Sequence, residues 1–127
     1  MTSVLRLGLC AVVAGAALSC VGCGRGSAAT LGATLPPADR SALVAVRDLR
    51  NAGKTGPVTL QGTMIEKCSV AACWFRLRDK SGVVKVDVKG AGFTVNDVPL
   101  NATVTVSGAV VTEGDETYLA ATGMQYR

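Results

Sequence analysis

The sequence from Pro57 onward consists of short runs in which apolar and polar residues alternate, and residues that favour turns separate these runs. Alternation with a period of two places successive side chains on opposite faces of a β-strand. We therefore predict strands over residues 58–67, 73–79, 83–89, 102–112 and 116–125. Tight turns over residues 80–82 and 113–115 join the second strand to the third and the fourth to the fifth.

Only one face of each predicted strand is apolar. In the third strand, Val84, Val86 and Val88 alternate with charged residues. A sheet with a single apolar face needs a second layer or must close on itself, and short strands close economically as a small barrel. The longest connection, over residues 90–100, lies between the third and fourth strands, as in an OB fold. The pattern predicts a mainly β protein with a five-stranded OB-like barrel.

One helix is predicted before the strands, over residues 38–50. Apolar residues at positions 43, 44, 46 and 49 form a partial stripe at helical spacing, and charged residues occupy the other faces. Pro37 suits the start of a helix, and Gly53 suits its end. We therefore expect one helix followed by the barrel, in a domain that covers residues 38–127.

The N-terminus has the pattern of an export signal. Arg6 is its only charged residue, and residues 7–18 form an apolar segment that is too short to span a bilayer. The segment Ala17-Leu18-Ser19-Cys20 resembles the lipobox of bacterial lipoproteins, which predicts a signal peptide over residues 1–19 and lipidation of Cys20. Cys23, which follows a glycine, is the alternative lipidation site, and a plain secretory signal is a third interpretation.

Residues 20–37 are rich in small residues and end in two prolines, which predicts a flexible tether between the lipid and the domain. We expect a membrane-anchored lipoprotein of the cell envelope whose domain faces the periplasm or the outside. The membrane is then its first partner, through the N-terminal lipid. Export also places the cysteines of the domain where disulfides form.

The composition excludes several classes of enzyme. The chain has no histidine, so it cannot build a Ser-His-Asp triad, a Cys-His pair or a His-ligated metal site. Its carboxylates are not placed as an acid–base pair, and Gly90-Ala91-Gly92 lacks the context of a phosphate-binding loop. The formal net charge of +4 is mild, which makes nucleic acid an unfavourable partner. We expect a protein that is not an enzyme.

Cys68 and Cys73 flank a short link between two predicted strands, a separation compatible with a disulfide. Three interpretations stay open. The pair forms a structural disulfide, or it binds a soft metal such as copper(I) with a thioether from Met64 or Met124, or it is a redox-active thiol pair whose pKa the neighbouring Lys67 lowers. Zinc is disfavoured because four ligands are not apparent, and haem attachment is excluded because its motif is absent. Apart from copper, no cofactor is expected.

A candidate ligand face combines one aromatic residue with three cations. By alternation, Trp74, Arg76 and Arg78 point away from the apolar face of the second strand, and Lys85 does so on the third. This surface is the usual ligand face of OB folds, and an aromatic ring beside guanidinium groups can stack a sugar or a base. An anionic cell-wall glycan or an envelope protein is the expected partner. The alternative is a solvated strand face, with Trp74 packed on the helix.

Four segments stand in a distinctive order and spacing, namely 46–49 (VRDL), 56–65 (GPVTLQGTMI), 74–86 (WFRLRDKSGVVKV) and 104–108 (VTVSG). Together they resemble the bacterial OB-fold (BOF-like) family of small exported proteins. The Cys-x4-Cys-Trp corner is similar to that of another group of exported OB-like proteins, which also carry residues like Phe93 and Pro99. The resemblance implies a five-stranded barrel in the cell envelope with a binding or stress-tolerance role, and it implies no catalytic residues.

We therefore expect an exported lipoprotein whose OB-like domain binds a ligand on the face of Trp74. The first alternative is a soft-metal or thiol-redox protein that uses Cys68 and Cys73. The second is a purely structural interaction module of the envelope. The first alternative requires reduced thiols, whereas ligand binding requires the tryptophan and its neighbouring cations.

Overall fold

The computed structural model describes residues 28–35 and 42–127. The predicted signal peptide over residues 1–19, Cys20 and Cys23 lie outside these ranges. The strands are β1 (Ala29–Gly32), β2 (Val58–Lys67), β3 (Trp74–Arg78), β4 (Val83–Asp87), β5 (Thr103–Glu113) and β6 (Glu116–Tyr126). The short helix α1 (Leu49–Ala52) lies between the 3-10 turns Val46–Asp48 and Gly53–Thr55, and a further 3-10 turn covers Lys89–Ala91.

Five of these strands close into a barrel. Antiparallel pairing joins β4 to β3, β3 to β2, β2 to β5 and β5 to β6. A short parallel pairing of β4 with β6, in which Val86 lies opposite Leu119, completes the ring. Closure through one parallel pair is the arrangement of an OB barrel, and the predicted fold class is confirmed. Within the described residues, no helix is long and apolar enough to cross a membrane.

The inner faces of the strands form one core, as the alternation predicts. Phe75 and Leu77 on β3 and Val86 on β4 are fully buried, whereas the residues between them are more exposed. Burying side chains of this size contributes roughly 1.5–3 kcal/mol each. Gly108 lies at a bulge where β5 approaches β6, and a Cβ atom there would collide with the carbonyl group of Ala120. Glycine therefore lets β5 and β6 coil closely around this core.

The helix predicted over residues 38–50 is wrong in position. Residues 36–41 lie outside the described ranges, and helical turns occupy Val46–Thr55 instead. Leu43 forms a parallel bridge with Thr59, and the Val44 N–H donates to the Thr59 carbonyl oxygen at 2.9 Å. The apolar stripe therefore includes extended residues that pair with β2, and the helical turns begin only after them.

A sixth strand occupies part of the predicted tether, so that prediction does not hold for Ala29–Gly32. Strand β1 pairs antiparallel with the end of β6, where Leu31 lies opposite Met124. Strand β4 pairs with β6 only at Leu119 and Ala120. The end of this edge of β6, at residues 123–126, would otherwise present unpaired backbone groups, and β1 covers it.

Candidate ligand face and cysteine corner

The outer surface of β3 and β4 carries the four side chains predicted as a ligand face. Trp74, Arg76 and Arg78 alternate with the buried residues of β3, and both arginines are exposed. Lys85 on β4 lies directly opposite Arg76 in the antiparallel register. The strand register therefore brings the four side chains to one surface, as alternation predicted.

Tyr118 joins this surface from β6. The Lys85 ammonium lies 6.0 Å from the centre of the Trp74 ring and 5.9 Å from the centre of the Tyr118 ring. Both distances are within the range of cation–π attraction. The sequence pattern does not predict Tyr118 at this surface, because only the parallel pairing of β4 with β6 brings it beside Lys85. Alternation within β6 was the available signal, since it places Tyr118 on the outer face next to the buried Leu119. We call Trp74, Arg76, Arg78, Lys85 and Tyr118 the aromatic–cationic face.

The phenol of Tyr118 is held in its neutral form. Desolvation raises its pKa first, and the charge of Glu113 together with a hydrogen bond to that carboxylate raises it further. The Tyr118 hydroxyl donates to Glu113 Oε1 at 3.3 Å. The face therefore presents an uncharged phenol beside the Lys85 ammonium.

Glu66 balances one of the cations on the face. Arg76 Nε lies 3.2 Å from Glu66 Oε2, with side-chain exposures of 50% and 56%. The two residues lie opposite each other in the β2–β3 register. An exposed pair of this kind contributes little to stability, about 0–1 kcal/mol. The ion pair therefore orients Arg76 but adds little stability, so Arg76 can exchange Glu66 for another anion.

A polar cleft begins at the Arg78 end of the face. It has a volume of about 390 Å³ and is lined by Gln61, Gly62, Thr63, Arg78, Asp79, Lys80 and Thr103. A neighbouring cleft of about 440 Å³ shares Gln61, Asp79 and Lys80 with it and adds Arg47 and Ser81 among its walls. The aromatic–cationic face thus continues into a groove that is lined by amide, hydroxyl and cationic groups.

The carboxylate of Asp79 in this groove accepts hydrogen bonds from groups of the protein itself. Its Oδ1 accepts hydrogen bonds from the backbone and hydroxyl of Ser81, both at 2.6 Å, and from the Gly82 N–H at 3.0 Å. Its Oδ2 accepts from the Val46 N–H at 2.8 Å. Desolvation raises the pKa of Asp79, but these hydrogen bonds outweigh it, so that the pKa lies below its ordinary value. Asp79 therefore fixes the β3–β4 turn and the start of the helical segment, by which we mean residues 46–55.

We call residues 68–73, the connection from β2 to β3, the cysteine corner. Both ends of it are tied to the barrel, because the Cys68 N–H donates to the Trp74 carbonyl oxygen at 3.1 Å and the Val88 N–H to that of Cys73 at 2.9 Å. Ala72 adopts a positive φ of 47° and is held by a hydrogen bond from the Val95 N–H at 3.0 Å. The fold thus brings the two cysteines together at a defined turn.

Both cysteines are free thiols in the structure, and each is partly exposed. The pKa of Cys68 is lowered, chiefly by the backbone N–H of Ala71 and then by that of Val70, whereas desolvation opposes the shift. The N–H of Ala72 and the thiol of Cys73 add smaller contributions in the lowering direction. The corner therefore surrounds one sulfur with donors that favour its thiolate form.

The sequence suggested that Lys67 lowers the pKa of a neighbouring thiol, but its ammonium is used elsewhere. Its ammonium donates to the carbonyl oxygens of Val98 at 2.6 Å, Asn96 at 2.9 Å and Val95 at 3.4 Å. These contacts hold the connection between β4 and β5. The lowered pKa of Cys68 comes from the loop's own N–H groups instead.

The copper interpretation gains no further ligand from the described residues. Within them, no group of three or more Cys, Asp or Glu side chains is arranged to hold a metal ion. The two methionines that were considered as thioether donors, Met64 and Met124, are fully buried in the core. They pack with the apolar residues of the barrel.

A match to a known family agrees with this architecture. The family model described as "Bacterial OB fold (BOF) protein" matches residues 32–125. No curated protein sequence matches the chain significantly. Among solved structures, the hypothetical protein ygiW from E. coli is similar, with 21% sequence identity and a TM-score of 0.46 over 61% of this chain and 85% of that one. Because the family model matches most of its length, the chain belongs to the bacterial OB fold (BOF) family.

Proposed function

We propose that the protein is an exported lipoprotein whose barrel binds an anionic glycan of the cell wall on the aromatic–cationic face. The N-terminal pattern of an apolar segment followed by Ser19-Cys20 supports export and lipidation. The lipid would keep the domain in the cell envelope, where such polymers are abundant. The proposal assigns no catalytic step.

One observation carries the proposal: the ammonium of Lys85 lies 6.0 Å from the ring centre of Trp74 and 5.9 Å from that of Tyr118, on the same surface as two exposed arginines. Aromatic rings stack on the apolar faces of sugars, and guanidinium groups bind carboxylates in a bidentate manner. A polymer that bears both sugar rings and carboxylates matches this combination.

The groove next to Arg78 supports an extended ligand. It is lined by the side chains of Gln61 and Thr63, which donate and accept hydrogen bonds as sugar hydroxyls require. Lys80 lines it as well, and Arg47 lines the neighbouring cleft. A chain of sugar residues that starts on Trp74 would continue past Arg78 into this groove.

Sedimentation of the protein with purified, insoluble peptidoglycan tests the proposal. Trp74→Ala and Arg78→Ala are each expected to weaken binding about tenfold, because each removes one recognition element worth about 1.4 kcal/mol. Lys54→Ala is the matched control, since Lys54 is an exposed cation on the helical segment and outside both clefts that continue this face.

Two further readouts sharpen the test. Binding is expected to weaken as salt is raised, because exposed charges are screened, and neutral chitin is expected to bind less well than peptidoglycan. Equal sedimentation of the wild-type protein and of both face variants would refute the proposal. Absence of binding by the wild type would refute it as well and would favour an interaction module whose partner is an envelope protein.

A further inference from the structure

We propose that the cysteine corner is a thiol–disulfide exchange site, with Cys68 as the attacking thiol and Cys73 as the resolving thiol. The substrate class is a disulfide, of either a small molecule or a protein. This inference is independent of glycan binding, because the two sites use different side chains.

The two cysteines lie close together at the ends of one turn. The Cys68 N–H donates to the carbonyl oxygen of Trp74, the residue after Cys73, and both thiols are free and partly exposed. Two hydrogen bonds to neighbouring strands hold the corner at its ends. A pair held in this way can close into a bridge with little movement of the barrel.

The N–H groups of the turn favour the thiolate form of Cys68. Those of Ala71, Val70 and Ala72 lower its pKa, and Ala71 contributes most. Such N–H groups stabilise a thiolate, which is the reactive form in exchange. The corner therefore favours Cys68 as the nucleophile of the pair.

The cysteine corner is accessible from solvent. The tip of the corner, residues 69–71, is exposed and carries no charged side chain, and Val70 is 92% exposed. The nearest cation along the chain, Lys67, is engaged with three carbonyl groups. A disulfide substrate can thus reach Cys68 without displacing an ion pair.

The Cys68 thiolate attacks one sulfur of the substrate disulfide, a Cys68–substrate bond forms, and the other substrate sulfur leaves as a thiolate and takes up a proton. Cys73 then loses its proton to solvent and attacks the sulfur of Cys68. The Cys68–Cys73 bond forms and the second substrate sulfur leaves. Two protein thiols are oxidised, and the substrate disulfide is reduced to two thiols.

The test uses the full chain, reduced and then treated with oxidised glutathione, with peptide mass mapping to distinguish Cys68 and Cys73 from the N-terminal cysteines. In Cys73→Ser, Cys68 is expected to trap glutathione several-fold faster than Cys73 does in Cys68→Ser. In the wild type, the mixed disulfide is expected to resolve into a Cys68–Cys73 bridge that reduced glutathione reopens.

A pair of backbone variants separates activation from mere exposure. Ala71→Pro removes the N–H that contributes most to the thiolate of Cys68, whereas Ser69→Pro removes an N–H in the same exposed turn that does not contribute. Alkylation of Cys68 by iodoacetamide at neutral pH is expected to slow several-fold in Ala71→Pro and to change little in Ser69→Pro. Near-ultraviolet circular dichroism verifies that both variants are folded.

Three results would overturn the proposal. The first is a bridge that reduced glutathione does not open, which identifies a structural disulfide. The second is equal reactivity of Cys68 and Cys73. The third is equal slowing in both proline variants. None of these results bears on peptidoglycan sedimentation, so this proposal can fail while the proposed function stands.

Discussion

The carboxylate of Asp79 accepts a hydrogen bond from the backbone N–H of Val46 at 2.8 Å, and this contact joins the β3–β4 turn to the start of the helical segment. The same side chain accepts three more hydrogen bonds from the turn itself. One residue thus satisfies donors on two separate parts of the chain. Substituting it tests how strongly the segment before α1 is docked on the barrel.

Asp79→Ala is expected to lower the free energy of unfolding by about 1–3 kcal/mol, because it leaves partly buried donors without their acceptor. Urea denaturation measures the change. Asp97→Ala is the control, since Asp97 is an exposed aspartate in the β4–β5 connection. Equal stability of the two variants would show that the hydrogen bonds of Asp79 contribute nothing.

The pKa of Asp79 is lower in the folded protein than its ordinary value of 3.8, because the hydrogen bonds outweigh desolvation. Its contribution to stability is therefore fully present above pH 3.8 and is lost as the pH falls through the folded value. The stability difference between the wild type and Asp79→Asn should narrow as the pH falls below about 4. Denaturation series from neutral to acidic pH measure it, and a constant difference would contradict this expectation.

Lys67→Met is expected to destabilise the protein by about 1–3 kcal/mol, since charge-assisted hydrogen bonds to three carbonyl groups are lost. Hydrogen exchange should show the loss locally, with the N–H groups of Val95 and Val98 exchanging faster, because both support the same loop. Lys89→Met is the matched control on an exposed lysine. Unchanged exchange at both valines would disprove the anchoring role of Lys67.

The Lys85–Trp74 contact is expected to give a coupling of about 0.5 kcal/mol in a double-mutant cycle built from Lys85→Met and Trp74→Leu. Thermal unfolding followed by circular dichroism supplies the four stabilities. A parallel cycle of Lys54→Met with Trp74→Leu should give no coupling. Because Trp74 is the only tryptophan, the fluorescence spectrum of Lys85→Met provides a second check. A spectrum identical to that of the wild type would argue against the contact.

Local sequence pattern was sufficient to predict the barrel. The side chains of Phe75 and Leu77 point inward, and those of Arg76 and Arg78 point outward, because a strand alternates strictly along its length. The turns over residues 80–82 and 113–115 lie between the strands that they were expected to join. Each of these features depends on residues close together in the chain.

The features that the sequence did not predict depend on distant pairings. Tyr118 reaches Lys85 only through the parallel pairing of β4 with β6. Strand β1 has too few apolar residues to be recognised, and the free edge of β6 defines its position. The helical segment starts at Val46, where Asp79 accepts its N–H. In each case the deciding partner lies far away in the sequence.

Strand β1 stands outside the closed ring of strands β2 to β6, and its unfolding is therefore separate from that of the barrel. Ala29 pairs with Tyr126, although almost the whole described chain separates them. Contacts of such large sequence separation carry the greatest entropy of loop closure, and we expect them to form last in folding. Strand β6 stays paired with β5 when β1 detaches. The first strand can therefore unfold and refold as a local unit while the barrel remains intact.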